Sequence, residues 1–432
     1  MDRFLMSDLI AWKDSQRRKP LILNGARQVG KTWLLREFGA REFENVAYVN
    51  FDNNERLIGQ FDHGYDIDRL LLALQAEARQ PITPGKTLVI LDEIQECPKA
   101  ITSLKYFCED ARELAVTAAG SLLGLAVHSG TGFPVGKVNM LDLHPMSFFE
   151  FLEAKGERYL RELVDGGDWQ LIGSFSSELE SFLREYCYVG GMPEVVQTHL
   201  RDADLGKTRK LQMEIIDSYE NDMSKHLSQH DAEGAIAVWQ SLPRHLAEEN
   251  KRFVFGHVRE GSRAREFHAA VTWLVKAGLA CKVPRVSKPG IPLSAYSDDS
   301  IFKLFSLDVG LLGALADLDY GSIIEGNRIF TEFKGALTEQ FVCQELVVAG
   351  LTPYYWSAEN SRGEIDFLVH SKGAIYPIEV KAEENLRSKS LAAFNAKYEG
   401  MSPRRFSLSG FRDQEWMRNV PLYAIGNPGN WI

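Results

Sequence analysis

A short stretch near the start of the sequence combines glycines, a lysine and a threonine at the spacing of a phosphate-binding loop. It reads LILNGARQVGKTWLLREF, and Gly25, Gly30, Lys31 and Thr32 fit G-x-x-x-x-G-K-[ST] in full. Glycines let backbone N–H groups approach phosphate oxygens, and the helix start adds its positive dipole end. In this pattern the lysine reaches the β and γ phosphates and the threonine hydroxyl ligates Mg²⁺, so the stretch predicts ATP and Mg²⁺ as ligands. The predicted loop comprises Gly25, Ala26, Arg27, Gln28, Val29, Gly30, Lys31 and Thr32.

Two acids follow a second apolar stretch, TLVILDEIQECP. The run from Leu88 to Leu91 is typical of a buried parallel strand, and ligands bind at the carboxyl ends of such strands. Asp92 is therefore predicted to hold Mg²⁺ through water. Glu93 is predicted to orient or deprotonate the water that attacks the nucleotide.

Strands and one helix must position these residues. The loop is expected between a short strand and an amphipathic helix, and residues 46–53 and 114–125 are predicted to be further strands. Ser121 follows Gly120 where the last of these strands is expected to end. Two interpretations of Ser121 stay open: it touches the γ phosphate or the lytic water, or it caps a loop.

Length and composition bound the class of protein. The chain has 432 residues, which suggests two to four domains, and its hydrophobic and charged fractions of 45% and 25% are those of an ordinary globular protein. The five cysteines are scattered, without a zinc spacing, which predicts reduced thiols and a cytoplasmic location. No signal peptide or membrane span is expected. The net charge of −10 argues against general nucleic-acid binding but allows a local basic surface.

The middle of the chain is predicted to be helical. From about residue 150 to 240, apolar residues recur at intervals of three and four, and Gly190, Gly191 and Pro193 interrupt this pattern. The region is interpreted as a helical lid on the nucleotide-binding core. Residues 252–290 then predict a short helix or turn, a longer helix, and a strand pair, which is the order of a winged helix.

The segment 251–290 is also strongly basic. It holds nine Lys or Arg residues against two acids, namely Lys251, Arg252, Arg259, Arg263, Arg265, Lys276, Lys282, Arg285 and Lys288. Such a concentration makes the segment a candidate surface for the phosphates of DNA. Winged helices also serve as protein–protein modules, so both partner classes stay open.

The C-terminal part predicts a helix over 333–349 and a hairpin with strands at 364–370 and 374–382. The second strand contains YPIEVKA, in which the period of two places Glu379 and Lys381 on one face. Taken alone, this is an ordinary charged sheet face. Antiparallel pairing is expected to bring Asp366 beside Glu379, which makes a carboxylate site the alternative.

Together these features resemble the AAA-type P-loop ATPases, specifically the prokaryotic predicted AAA+ superfamily ATPases that carry a C-terminal domain of unknown function. Three further segments resemble that family: DLHPMSFFEFL at 142–152, YVGGMPEVV at 188–196 and FKLFSLDVGLLGAL at 302–315. The resemblance extends over nearly the whole chain. It implies an ATPase core, a helical lid and a winged helix.

The C-terminal helix and hairpin resemble the PD-(D/E)XK nuclease fold. The resemblance implies that Asp366 and Glu379 bind Mg²⁺, that Lys381 positions or activates water, and that Glu339 lends a further carboxylate. Many members of that fold have lost activity or only bind. Whether this site cuts nucleic acid therefore stays open.

The sequence thus predicts an α/β protein built on a P-loop core. The expected parts are an AAA-type core at 1–180, a helical lid at 181–240, a winged-helix-like domain at 241–325 and a PD-(D/E)XK nuclease-like domain at 326–432. The expected function is Mg²⁺-dependent ATP hydrolysis coupled to DNA binding or processing, by a chain that could form a homo-oligomer. The alternative is an ATP-driven switch that acts on a protein partner, with an inactive nuclease-like scaffold.

Overall fold

A computed structural model describes residues 2–121, 132–248, 251–261, 264–321, 331–358, 363–382 and 388–432. The chain divides into two compact units. Unit 1 comprises Met1–His144 with Lys276–Gly278, and unit 2 comprises Pro145–Val275 with Leu279–Ile432. The predicted four-part division sets its first boundary at residue 180 instead, and it stays a prediction.

Unit 1 contains a five-stranded parallel sheet in the order β2-β3-β4-β1-β5. Its strands are β1 (Leu21–Asn24), β2 (Asn45–Asn50), β3 (Thr87–Asp92), β4 (Ala115–Ala119) and β5 (Asn139–Asp142). Every residue of β3 is buried, as expected for a central parallel strand with both faces covered. The two further strands predicted for this region are confirmed, with shorter bounds, and residues 122–125 lie outside the described residues.

Among the described residues of unit 1, five helices accompany this sheet: α1 (Leu5–Asp14), α2 (Lys31–Glu42), α3 (Glu55–Gln60), α4 (Ile67–Ala78) and α5 (Pro98–Asp110). The start of α4 is fixed by Asp66, whose carboxylate accepts a hydrogen bond from Arg69 N–H. The start of α2 is Gly30, which caps the helix in the left-handed conformation at φ +94°. The predicted order of strand, glycine loop and helix is therefore confirmed.

Unit 2 begins with seven helices, which confirms the helical pattern predicted for 150–240. They are α6 (Phe148–Lys155), α7 (Arg158–Gly166), α8 (Trp169–Ser174), α9 (Ser176–Val189), α10 (Pro193–Asp202), α11 (Leu205–His226) and α12 (Gln229–Ala247). Five further helices or strands precede the C-terminal part: α13 (Phe255–Val258), α14 (Ala264–Lys276), β6 (Ala280–Val286), β7 (Ser297–Ser306) and α15 (Val309–Leu315). Within the described ranges, none of the helices has the length and apolar character needed to cross a membrane.

Two glycine motifs of unit 2 interlock. The N–H of Gly191 donates to the Asp308 carboxylate at 2.6 Å, and a Cβ at Gly190, where φ is +75°, would lie 2.1 Å from an Asp308 oxygen. A Cβ on Gly310 would lie 2.5 Å from the Val189 carbonyl oxygen. The glycines at the end of α9 and the start of α15 are thus required by close backbone contact.

The second sheet has eight strands in the order β12-β13-β11-β10-β9-β8-β6-β7. After β6 and β7, its strands are β8 (Tyr354–Ser357), β9 (Glu364–Ser371), β10 (Ala374–Val380), β11 (Arg404–Ser407), β12 (Arg412–Asp413) and β13 (Arg418–Pro421). The predicted hairpin is confirmed, because β9 and β10 pair antiparallel around a short turn. The predicted strand pair after α14 is also present, but β6 pairs with β8 and so extends the C-terminal sheet. The winged-helix assignment stays a prediction.

Helix α16 (Thr331–Val348) matches the predicted helix and carries buried amides. The side chain of Gln340 accepts from Ser306 N–H and donates to Ser306 C=O, at 2.8 and 2.7 Å. The side chain of Gln344 accepts from Val309 N–H at 3.0 Å and donates to the Tyr186 hydroxyl at 2.8 Å. The hydrogen bonds of these two amides attach β7, α15 and α9 to helix α16. The last helix of the chain, α17 (Lys389–Lys397), follows β10.

The same helix α16 also completes the start of α6. Ser147 and Glu150 form a reciprocal capping box there, and Glu345 of α16 accepts a hydrogen bond from Phe148 N–H at 3.0 Å. Burial, with a smaller contribution from Glu150, raises the pKa of Glu345 to about 8. The N-terminal end of α6 is therefore bound by a residue 197 positions later in the chain.

Candidate functional site

The glycine loop of unit 1 has a backbone conformation that favours glycine at two of its positions. Gly25 has φ +151° and Gly30 has φ +94°, and Gln28 between them is also left-handed at +65°. A Cβ on Gly25 would lie 2.3 Å from the Leu143 carbonyl oxygen. The loop therefore leads directly into the N-terminus of α2, where unpaired N–H groups favour an anion.

Lys31, the first residue of α2, folds back over this loop. Its ammonium group donates to the carbonyl oxygens of Gly25 and Ala26 at 2.9 and 2.7 Å, and only 7% of the residue is exposed. Burial lowers the pKa of Lys31 to about 8, although the charges of Glu93 and Asp92 act in the opposite direction. The nearest partners of this buried cation are neutral carbonyls, so phosphate oxygens would be stronger acceptors.

Asp92 lies at the carboxyl end of β3, within reach of Thr32. The Thr32 hydroxyl donates to Asp92 Oδ2 at 2.8 Å. A hydroxyl and a carboxylate are hard oxygen donors, and Mg²⁺ bound to phosphates takes few protein ligands and retains water. Thr32 and Asp92 therefore fit the predicted Mg²⁺ site.

Glu93 follows Asp92 in a left-handed conformation at φ +51°, which is unusual for a residue other than glycine. One Glu93 carboxylate oxygen accepts a hydrogen bond from Gln95 Nε2 at 2.5 Å. Strained backbone of this kind occurs often at functional sites. The local structure holds the predicted catalytic carboxylate just beyond the predicted metal-binding acid.

Tyr48 of β2 contacts Asp92, which the sequence did not predict. Its hydroxyl donates to the same oxygen, Asp92 Oδ2, at 2.9 Å, and the Arg36 guanidinium lies 3.8 Å from the centre of the Tyr48 ring. In the parallel pairing of β2 with β3, Asn50 is the partner of Asp92, and Tyr48 lies two residues earlier on the same face. The sequence indicates this contact only through the polar hydroxyl of Tyr48, two residues before Asn50 in the strand that follows the loop. Tyr48 thus fixes the orientation of the Asp92 carboxylate.

Ser121 follows the end of β4 and is 9% exposed. Strand β4 lies between β3 and β1, which end at Asp92 and at the glycine loop. The carboxyl ends of these three strands meet at one edge of the sheet. The predicted roles of Ser121 both stay open, and residues 122–131 lie outside the described residues.

In unit 2, the predicted nuclease-like residues occupy two adjoining groups. Asp366 of β9 accepts a hydrogen bond from Val380 N–H at 2.7 Å, so Asp366 and β10 are in contact as expected. Glu379, which is 5% exposed, pairs with Lys381 at 3.1 Å, as expected for two residues on one face of the strand. The carboxylate of Glu339 on α16 has other partners.

Two lysines that the sequence did not single out as site residues bind these carboxylates. Lys251 forms an ion pair with Glu339 Oε1, and Lys303 of β7 lies 3.6 Å from Glu339 Oε2. The Lys303 ammonium is also 2.5 Å from Glu364 Oε1. The Lys303 side chain is completely buried, so these ion pairs are shielded from water.

This arrangement does not fit the Mg²⁺ implied by the nuclease resemblance. A divalent cation about 4 Å from one ammonium group would be repelled by about 8 kcal/mol at an effective dielectric constant of about 20. Across the part of the chain that the structure describes, no cluster of three or more His, Cys, Asp and Glu side chains has the arrangement of a metal site. The expected metal role of Glu339 and Asp366 therefore disagrees with the charges around them, whereas that of Glu379 stays a prediction.

The basic segment 251–290 is partly neutralised. Lys251 pairs with Glu339, and Arg285 lies 3.5 Å from Asp298, which follows the segment in sequence. Arg263 lies outside the described residues. Four of its cationic residues are exposed: Arg252, Arg259, Arg265 and Lys288. The surface that DNA could contact is smaller than the sequence count suggests.

Comparisons with known proteins assign a described domain to the first part of the chain. Residues 17–152 match the model of a family described as an AAA domain. Residues 180–322 and 334–422 match two domains of unknown function, DUF8612 and DUF4143. The comparison with curated proteins gives no match.

Solved structures that are similar to the chain include three archaeal proteins. The Walker-type ATPase PABY2304 of Pyrococcus abyssi has 16% identity and a TM-score of 0.45, over 73% of this chain and 95% of that one. Orc1 of Aeropyrum pernix in complex with DNA has 15% identity and a TM-score of 0.27, over 72% and 90%. Cdc6p of Pyrobaculum aerophilum has 12% identity and a TM-score of 0.25, over 74% and 92%. The family match and the loop geometry together show that residues 17–152 contain an AAA-type domain with a P-loop.

The low pKa of Lys31 predicts a pH-dependent affinity for ATP. The ammonium form binds phosphates, and without nucleotide this form is lost as the pH rises through about 8. Binding must then take up a proton, so the ATP dissociation constant should rise by up to about tenfold per pH unit above pH 8. Titrations of ATP binding from about pH 7 to about pH 9.5 measure this change in the dissociation constant. A Lys31→Met control should bind weakly with no such slope, and a flat profile for the native chain would contradict the prediction.

Tyr48→Phe should raise the Mg²⁺ concentration needed for half-maximal ATPase activity by about tenfold, because it removes a hydrogen bond that orients Asp92. The ring and its contact with Arg36 remain, so activity at saturating Mg²⁺ should stay within about twofold. The matched control is Tyr65→Phe, since the Tyr65 ring stacks on Tyr106 at 4.7 Å in the same unit. Equal Mg²⁺ dependence in both variants would remove the role of Tyr48.

Proposed function

We propose that the chain is a Mg²⁺-dependent ATP hydrolase whose nucleotide state controls binding to DNA. The observation that carries the first part is the convergence of Lys31, Thr32 and Asp92 at one edge of the parallel sheet. Thr32 lies 2.8 Å from Asp92, and Lys31 lies over the glycine loop. Few chemistries other than nucleotide phosphate binding use this set of groups at a helix N-terminus.

The residues act in a definite order. Lys31 exchanges its two carbonyl acceptors for phosphate oxygens, and the N–H groups at the start of α2 bind the same phosphates. Bound Mg²⁺ would supply charge neutralisation between the β and γ phosphates. Glu93 orients the attacking water and accepts its proton, and Asp92, held by Tyr48, keeps the Thr32 hydroxyl in place. The products are ADP and phosphate.

Glu93→Gln should lower ATP turnover by about 100-fold or more while leaving the affinity for ATP within about threefold, because the amide cannot accept the proton. Lys31→Ala should weaken ATP binding strongly and abolish turnover. Glu96→Gln is the matched control, because Glu96 is exposed only three residues further on. Phosphate release and nucleotide binding are measured on the same preparations. Unchanged turnover in Glu93→Gln would remove its role as the base, and unchanged binding in Lys31→Ala would remove the site.

The DNA part of the proposal is supported by exposed cations near α13, α14 and β6. Arg259, Arg265 and Lys288 are exposed, and phosphate contacts by such residues release counterions from DNA. Their positions in unit 2 are separate from the Lys251 and Arg285 ion pairs. DNA is favoured over a protein partner because the segment has more than four times as many basic as acidic residues.

Changing Arg259, Arg265 and Lys288 together to Gln should weaken DNA binding and lower the slope of log affinity against log salt by about 2 to 3. The control changes three other exposed cations of unit 2, Arg158, Arg201 and Lys210, to Gln. Fluorescence anisotropy of labelled duplex DNA at several salt concentrations, with and without ATP, measures both effects. Equal losses in the two triple variants, or no binding by the native chain, would favour a switch that acts on a protein.

A further inference from the structure

We infer that Lys251 and Lys303 stand in the place of a divalent cation at the carboxylates of Glu339, Glu364 and Asp366, so that this centre of unit 2 is a closed ion network. The inference is independent of the proposed ATPase, because all of these residues lie in unit 2. It assigns a role to two lysines that neither the motifs nor the family matches identify.

Lys303 occupies a buried position among these carboxylates. Its side chain is fully buried in β7, and its ammonium lies 2.5 Å from Glu364 and 3.6 Å from Glu339. The ammonium also lies 5.1 Å from the centre of the Tyr355 ring, which favours a cation. A buried ammonium is stable only when anions compensate its lost hydration. Lys303 therefore uses the carboxylates that a metal would need.

The two carboxylate oxygens of Glu339 face different lysines. Lys251 binds Oε1, and Lys303 lies beside Oε2. The side chains of Lys251 and Glu339 are 13% and 8% exposed, so the Lys251 pair lies closer to solvent than the fully buried Lys303. Both oxygens of the helix carboxylate already have a cationic partner.

Ion pairs and a hydrogen bond already engage the acids of this centre. Asp366 accepts a hydrogen bond from Val380 N–H at 2.7 Å. Glu339 and Glu364 carry two negative charges, and they pair with the two ammonium groups of Lys251 and Lys303. A divalent ion needs an excess of negative charge, which these paired glutamates do not supply.

The network has a clear structural consequence. Lys251 precedes α13, Lys303 belongs to β7, Glu339 belongs to α16 and Glu364 begins β9, so four separate segments are joined by three ion pairs. In a metal-dependent site the ion joins such segments. Here the chain supplies its own cations, and unit 2 is expected to be assembled without metal.

Mn²⁺ binding tests the inference in the full chain. Asp92→Asn first removes the predicted metal ligand of unit 1, and Mn²⁺ is then titrated without nucleotide while the electron paramagnetic resonance signal of free Mn²⁺ is recorded. We expect no bound Mn²⁺ that depends on the centre, so that adding Glu339→Gln or Asp366→Asn changes nothing. One bound Mn²⁺ per chain that either substitution abolishes would overturn the inference. Asp366→Asn keeps an oxygen acceptor for Val380 N–H, so it serves as the second test if the Glu339→Gln variant does not fold.

The converse variant removes the internal cations. Lys251→Gln with Lys303→Gln, in the same Asp92→Asn background, should bind Mn²⁺ at least about tenfold more tightly than the background alone, because the carboxylates of Glu339 and Glu364 lose their ammonium partners. Circular dichroism establishes that the variant is folded, and Lys251→Gln alone, near the edge of the network, serves if the double variant is not. A folded variant without any gain in Mn²⁺ affinity would contradict the inference. ATPase activity of the lysine variants with native Asp92 reports on unit 1 separately, so failure of one proposal leaves the other intact.

Discussion

Along α16, buried polar side chains each bind a different part of unit 2. Glu339 pairs with two lysines, Gln340 binds the backbone of β7, Gln344 binds the start of α15, and Glu345 binds the start of α6. Buried polar groups are costly unless every one is paired, so these bonds admit only one position of the helix. A shift by one residue would break all of them together. The helix thus sets the register of β7, α15 and α6 as well as their packing.

This constraint explains which features of the fold were accessible from sequence. The glycine loop, the buried strand before Asp92 and the hairpin of β9 and β10 are local patterns, and the structure has all three. The ties of α16 join residues up to 197 positions apart. Glutamine and glutamate on a helix normally indicate a solvated face, so nothing in the local pattern distinguishes them as buried.

The candidate site in unit 1 shows the same difference between local patterns and contacts that join distant segments. Lys31, Thr32 and Asp92 were predictable because each belongs to a motif whose chemistry requires that residue type. Tyr48 was not, because its contact with Asp92 depends on β2 lying beside β3 in the sheet. In unit 2, Lys303 and Glu339 are distant in sequence, and Lys251 was counted as part of a basic surface although it pairs with Glu339. The sequence pointed to Glu339 and Asp366 as acids of one site, but it did not single out Glu364 and had no means to identify the counterions.

Two buried lysines make the difference between the two sites explicit. Lys31 is surrounded by neutral carbonyls, and burial lowers its pKa to about 8, so its charge is poorly compensated until an anion binds. Burial alone would also lower the pKa of Lys303, but Glu364 and Glu339 reverse the effect and raise it. Lys31 donates to carbonyl oxygens and can gain stronger phosphate acceptors, whereas Lys303 already lies beside two carboxylates. By this criterion the glycine loop of unit 1 is open to a ligand, whereas the carboxylate centre of unit 2 is complete within the chain.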